Sequence, residues 1–144
     1  MGRRRKARES ALQILFQREF NTANVEKTIS QFWEERRASE EIKEYSAWLV
    51  KGILSHQKKI DSLIQSISNH WRISRMAVVD LNILRIAVFE LLFEPQVAPA
   101  IVINEAIEIA KKYSTEEAAS FVNGILDGVR KEIEKSSSKE GDNG

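Results

Sequence analysis

Apolar residues recur along this chain at intervals of three and four, and no stretch alternates apolar with polar residues long enough to read as a strand. The first stripe, Ala11, Leu12, Leu15, Phe16 and Phe20, predicts a helix from about Lys6 to Phe20, which "NTANVEKT" breaks. Ile29, Phe32 and Trp33 anchor a second, from about Val25 to Arg37. Ser39 fits the N-cap of a third, where its hydroxyl can accept from a free N–H of the first turn. Its stripe of Ile42, Tyr45, Leu49, Ile53 and Leu54 continues through Ile60, Leu63, Ile64 and Ile67, in one long helix or after a bend near His56.

"NHWRISRM" reads as a connector, and beyond it "MAVVDLNILRIAVFELLF" is apolar on nearly every side. Asp80, Asn82, Arg85 and Glu90 within it argue against a membrane span, since ionised groups are costly in lipid; a central buried helix is expected. Glu94 and Pro95 end it, and Pro99 suits the first turn of the next helix, Ala100 to Tyr113, where a missing N–H costs nothing. "STEE" offers a capping box, with Ser114 as cap and Glu117 three residues on, opening a last helix to about Glu134. The expected fold is all-α: six or seven helices in a compact bundle of two packed halves, one domain over 1–135. The polar, low-complexity residues 136–144 are expected to be a disordered tail.

The absence of cysteine excludes disulfides and thiolate metal sites and suits a reducing, cytoplasmic setting. The basic start runs directly into "ESALQILFQREF", whose polar residues do not fit a signal peptide. Arg3, Arg4, Arg5, Lys6 and Arg8 crowd the first eight residues; without these five cations the net charge of +1 becomes −4. An acidic body with a basic pole suits a nucleic-acid ligand.

Catalytic chemistry has no residues to carry it. His56 and His70 lack partners at metal-binding spacing, so solvated or capping roles are expected and no metal or other cofactor. Gly124 and Gly128 precede no lysine–serine or lysine–threonine pair, so they suit close helix contact better than a phosphate loop. Pairs such as Glu105/Glu108 and Glu116/Glu117 read as solvated faces or helix-start charges. Arg85, set among Ile83, Leu84, Ile86 and Ala87, needs a carboxylate, and Glu105 on the next helix is the structural candidate. Asp80 either pairs internally or faces a partner; spacing leaves both open.

Four stretches in register, "RRKARESALQILF", "DLNILRIAVFELLF", "VINEAIEIAKKY" and "FVNGILDGV", together resemble the NusB family of bacterial transcription antitermination factors. The resemblance covers nearly the whole chain. It implies an all-helical fold of two three-helix sets and a non-enzymatic role: binding the boxA element of nascent ribosomal-RNA transcripts together with the ribosomal protein NusE. The pair helps load other Nus factors that keep RNA polymerase reading through terminators. Carried over by position, RNA contacts fall on Arg3, Arg4, Arg5, Lys6 and Arg8, and on Ser120, Phe121 and Asn123 around "FVNG". The NusE-facing surface falls on Phe16 and Asp80. An aromatic hydroxyl common at the Phe16 position is missing here, and "EEAASFVNG" lacks the more polar run often seen before this motif.

Cations at a helix start oppose the helix dipole by about 0.3–1 kcal/mol, and Arg4 and Arg8 repel across one turn by a few tenths of a kcal/mol. Docked phosphates reverse both signs, so Arg4 and Arg8 are expected to contribute to RNA affinity and to its salt dependence. Two rivals remain at the level of sequence. One is the RNA-binding module of a ribosomal-RNA methyltransferase; the other is a helical protein–protein adaptor or homodimer without RNA.

Overall fold

In the computed structural model, which describes residues 2–142 and side chains through Ser137, α1 (Gly2–Phe20) starts well before its apolar stripe. The five cations therefore lie inside the first two turns of a helix. α2 (Val25–Glu34) stops short of Arg37. Ser39 caps α3 (Glu40–Ser55), its hydroxyl accepting from the Ile42 N–H at 3.3 Å. The chain then bends at His56, whose Nδ1–H donates to the Gly52 carbonyl at 3.0 Å, and α4 (Gln57–Ile67) follows as a separate helix. A single 3-10 turn, Ile73–Arg75, occupies the connector. α5 (Val78–Phe93) ends where Pro95 pushes Glu94 out of the helical region, and α6 (Pro99–Tyr113) opens on its proline.

α7 (Glu116–Asp142) departs from expectation at both ends. Its start is capped by Thr115, whose hydroxyl accepts from the Ala118 N–H at 2.9 Å. Ser114 instead closes α6, donating its N–H to the Ala110 carbonyl at 2.8 Å, so the expected capping box does not form. At the far end residues 136–142, expected to be a disordered tail, continue the helix. Serine is only mildly unfavourable in a helix, and no proline interrupts the run. Residues 143 and 144 of that tail lie outside the described residues.

α5 is the spine. Every residue from Leu81 to Glu90 is buried, because α1, α3, α4, α6 and α7 all pack against this helix. The two helical sets thus share one continuous core. Two glycines make close helix approach possible. A Cβ at Gly52 would strike the Phe89 ring, and one at Gly128 would come within 2.6 Å of Ile67 Cγ2; Gly124 has open space.

Burying α5 whole obliges its ionised residues to find partners. Arg85 forks onto Asp61 of α4, Nε to Oδ1 and Nη2 to Oδ2 both at 2.9 Å, with Glu19 and Asn82 beside it. The expected Arg85–Glu105 pair is absent. Arg85 and Glu90, five residues apart, lie on different faces of α5 and at different heights, so they look toward different neighbours.

Candidate nucleic-acid interface

The basic turns of α1 divide by depth. Arg3 and Lys6 are exposed, Arg4 and Arg5 half-buried, and Arg8 is buried. Arg3 Nη1 lies 2.9 Å from Glu41 Oε2 on α3. Arg4 Nη1 donates to the Tyr45 hydroxyl at 3.5 Å and stands 3.6 Å from Glu94. Arg5 Nε donates to Glu105 Oε2 at 2.7 Å. Arg8, 3% exposed, grips Glu90, 1% exposed, through Nε–Oε1 at 2.7 Å and Nη2–Oε2 at 2.9 Å. Burial depresses the Arg8 pKa, but the hydrogen bond and charge of Glu90 outweigh it and hold the pKa above its ordinary value.

These contacts correct two expectations. Arg8 is a structural cation with no surface left for a phosphate. Glu105 is buried rather than solvated, holding Arg5 with one oxygen while the other lies 3.6 Å from Arg8 Nη1 without a hydrogen bond. The repulsion expected between Arg4 and Arg8 is answered inside the protein by Glu90, Glu94 and Glu105. Tyr45 completes the network by donating its hydroxyl to Glu90 Oε2 at 2.6 Å; burial first, and that bond second, push its pKa well above the ordinary tyrosine value. Glu90 was visible in the sequence only as an argument against a membrane span. Its position in an all-round apolar helix was the signal that a buried cation had to come from elsewhere.

What remains available is Arg3, Lys6 and the outer faces of Arg4 and Arg5. An open concavity of about 400 Å³ runs past Gly2, Arg5, Lys6, Glu9, Glu108 and Lys112 on one side of this turn. The "FVNG" region lies on α7 and connects to α1 through α6. Ser120 and Asn123 are exposed there, Phe121 is half-buried against the core, and Ala118 and Ala119 are buried.

A second surface sits toward the other end of α1. Phe16 (39% exposed) and Phe20 (73% exposed) meet edge to face at 5.1 Å. Phe16, Leu12, Gln13, Gln17, Val79 and Tyr113 line a groove of about 280 Å³. Asp80 follows Val79 in the first turn of α5, half-buried, with Oδ1 shielded from solvent and without a hydrogen-bond partner. The structure therefore brings Phe16 and Val79, the residue before Asp80, to one groove, and Asp80 has no hydrogen-bond or ion-pair partner among the described residues.

Among the described residues no group of three or more His, Cys, Asp or Glu side chains is arranged to hold a metal ion. No described helix is long and apolar enough to cross a membrane.

Residues 5–131 match the sequence profile described as the NusB family. The chain belongs to the NusB family. It is 49% identical over 129 residues to the transcription antitermination protein NusB of Bdellovibrio bacteriovorus, covering 89% of this chain and 95% of that protein. The crystal form of T. maritima NusB superposes with a TM-score of 0.83 at 40% identity, over 90% of this chain and 91% of that one. A chain from a crystal structure of antitermination factors NusB and NusE in complex with dsRNA superposes with a TM-score of 0.81 at 32% identity, over 91% of this chain and 98% of its own length. The all-α architecture is the family's; the Phe16 groove, Arg5, Lys6 and the "FVNG" region fall within residues 5–131, while Arg3 and Arg4 precede them.

Proposed function

We propose that this protein is a non-catalytic transcription antitermination factor of the cytoplasm. It binds boxA RNA of nascent ribosomal-RNA transcripts through the exposed cations of α1, with Ser120, Phe121 and Asn123 as a second contact, and engages NusE through Phe16, the groove it lines, and Asp80. Other Nus factors and RNA polymerase are reached through that complex. The observation that carries the reading is the pairing of two unlike surfaces on one α1 helix. The first turns present guanidinium and ammonium groups suited to phosphate. The last turns present an apolar groove closed by Val79, whose neighbour in sequence, Asp80, is a carboxylate without an internal partner among the described residues, suited to a protein with a basic rim.

A gel-shift with boxA and scrambled RNA, each with and without NusE, tests it. Preferential retardation of boxA, strengthened by NusE, is the expected outcome. Equal binding of both RNAs with no effect of NusE would refute it, and a shift in size with NusE alone would leave only a protein adaptor.

A further inference from the structure

The groove between α1 and α3 at the basic end has an aromatic wall that the contacts carried over from the family do not use. It encloses about 310 Å³ between Arg3 and Arg4 on one side and Glu41, Glu44, Tyr45 and Trp48 of α3 on the other. Trp48 is 39% exposed, yet its ring is held against Phe89 at 4.8 Å and beside Tyr45 at 5.4 Å between centroids. Tyr45 is fixed in turn by the hydroxyl it donates to Glu90 and by the Arg4 guanidinium 4.8 Å over its ring. An exposed indole locked by its neighbours loses little further freedom when a planar ligand stacks on it.

Charge selects the kind of ligand. The two guanidinium groups and two carboxylates that line the groove balance, so its interior favours a neutral polar ligand over a phosphate, which the outward faces of the same cations are left to meet. It offers donors, acceptors and a flat apolar face together, and a nucleobase presents the complement of all three. Carboxylates accept from exocyclic amino groups, guanidinium groups donate to ring nitrogens and carbonyls, and the indole takes the π-face. Lys6 and the outer edge of Arg3 lie on the same first turns of α1, where they can hold the flanking backbone.

We propose that this groove binds one base of single-stranded RNA, with Trp48 as its stacking platform and Glu41 and Glu44 favouring an amino-bearing base over uracil. The proposal rests on the RNA-binding reading above and adds a base-specific residue to it.

Fluorescence anisotropy of a short labelled boxA RNA with the full protein and NusE provides the test, using the intact RNA and versions with single abasic sites. Trp48→Ala is expected to weaken binding about tenfold, the loss of one stacked base, without changing the salt slope. Trp48→Phe should retain most of the affinity. One abasic position should cost the native protein about tenfold and cost Trp48→Ala almost nothing more. Uracil at that position should weaken the native protein but not Glu44→Gln. If circular dichroism shows Trp48→Ala unfolded, Trp48→Leu replaces it in the same comparison. Native affinity in the non-aromatic variant, or a penalty adding to every abasic site alike, overturns the proposal while leaving RNA binding intact. A native protein that binds no RNA overturns the broader reading and this one with it.

Discussion

Arg8 and Glu90, 82 residues apart in sequence, meet as a buried two-point fork that fastens the start of α1 to the spine helix α5. Removing one partner of such a pair leaves an uncompensated buried charge, a loss of about 3–5 kcal/mol. Arg8→Ala should therefore lower the melting temperature by about 10 °C or more in a domain of this size. Arg8→Met combined with Glu90→Leu should recover much of the loss. Thermal melts of the three proteins check this, and a single mutant as stable as the native chain would contradict it.

The salt dependence of RNA binding should follow exposure and not charge count. Arg3→Ala with Lys6→Ala should flatten the slope of log affinity against log salt by about 1–1.5, at about 0.7 per single-strand phosphate lost. Arg8→Met with Glu90→Leu, which removes the buried cation together with its partner, should leave the slope within error. Affinity measured over a salt series distinguishes the two; a flattening in that double variant would mean that the fork opens on RNA.

Tyr45 predicts an alkaline limb of instability. Its folded pKa is raised, so the stability it contributes is fully present below the ordinary tyrosine value of about 10 and is lost as pH climbs toward the folded value. Over that window the unfolded chain has released the proton and the native chain has not, and stability should fall by about 1.4 kcal/mol per pH unit. Denaturant titrations above pH 10 should show this fall, and Tyr45→Phe should flatten it.

Gly124 and Gly128 should respond oppositely to the same change. Alanine at Gly124 meets open space and improves helix propensity, adding up to about 1 kcal/mol of stability. Alanine at Gly128 presses on Ile67 and should cost about 1–3 kcal/mol. Urea midpoints of the two variants settle the comparison.

Phe16→Ala and Asp80→Asn should each weaken NusE binding while leaving RNA binding by the free protein unchanged. A buried aromatic anchor of this kind contributes about 2 kcal/mol to an interface, so calorimetry with NusE should show a loss of roughly thirtyfold for Phe16→Ala. Unchanged affinity in both variants would place NusE on another surface.

The helices could be read along the chain because each announces itself locally: the apolar stripes of α1 and α3, Ser39 as a cap, Pro99 at a helix start, Pro95 beyond a helix end. The boundaries that slipped are those where two local signals compete. Ser114 and Thr115 can both cap, and Ser114 was already engaged in closing α6. The serines after Lys135 neither favour nor forbid helix, so the established α7 runs on.

The chain alone determined that helices form, that α5 is buried on nearly every side, and that cations gather at one end, since each follows from periodicity or composition within a few residues. Only the tertiary structure decided which of those cations face outward. Arg3 and Arg8 are chemically alike in sequence, but burial makes the desolvation of Glu90 too costly to leave uncompensated, and the groups that meet it come from helices far apart along the chain. The same folding joined Phe16 to Val79, and Trp48 to Arg4, because a groove belongs to the packing of two helices and to neither one by itself.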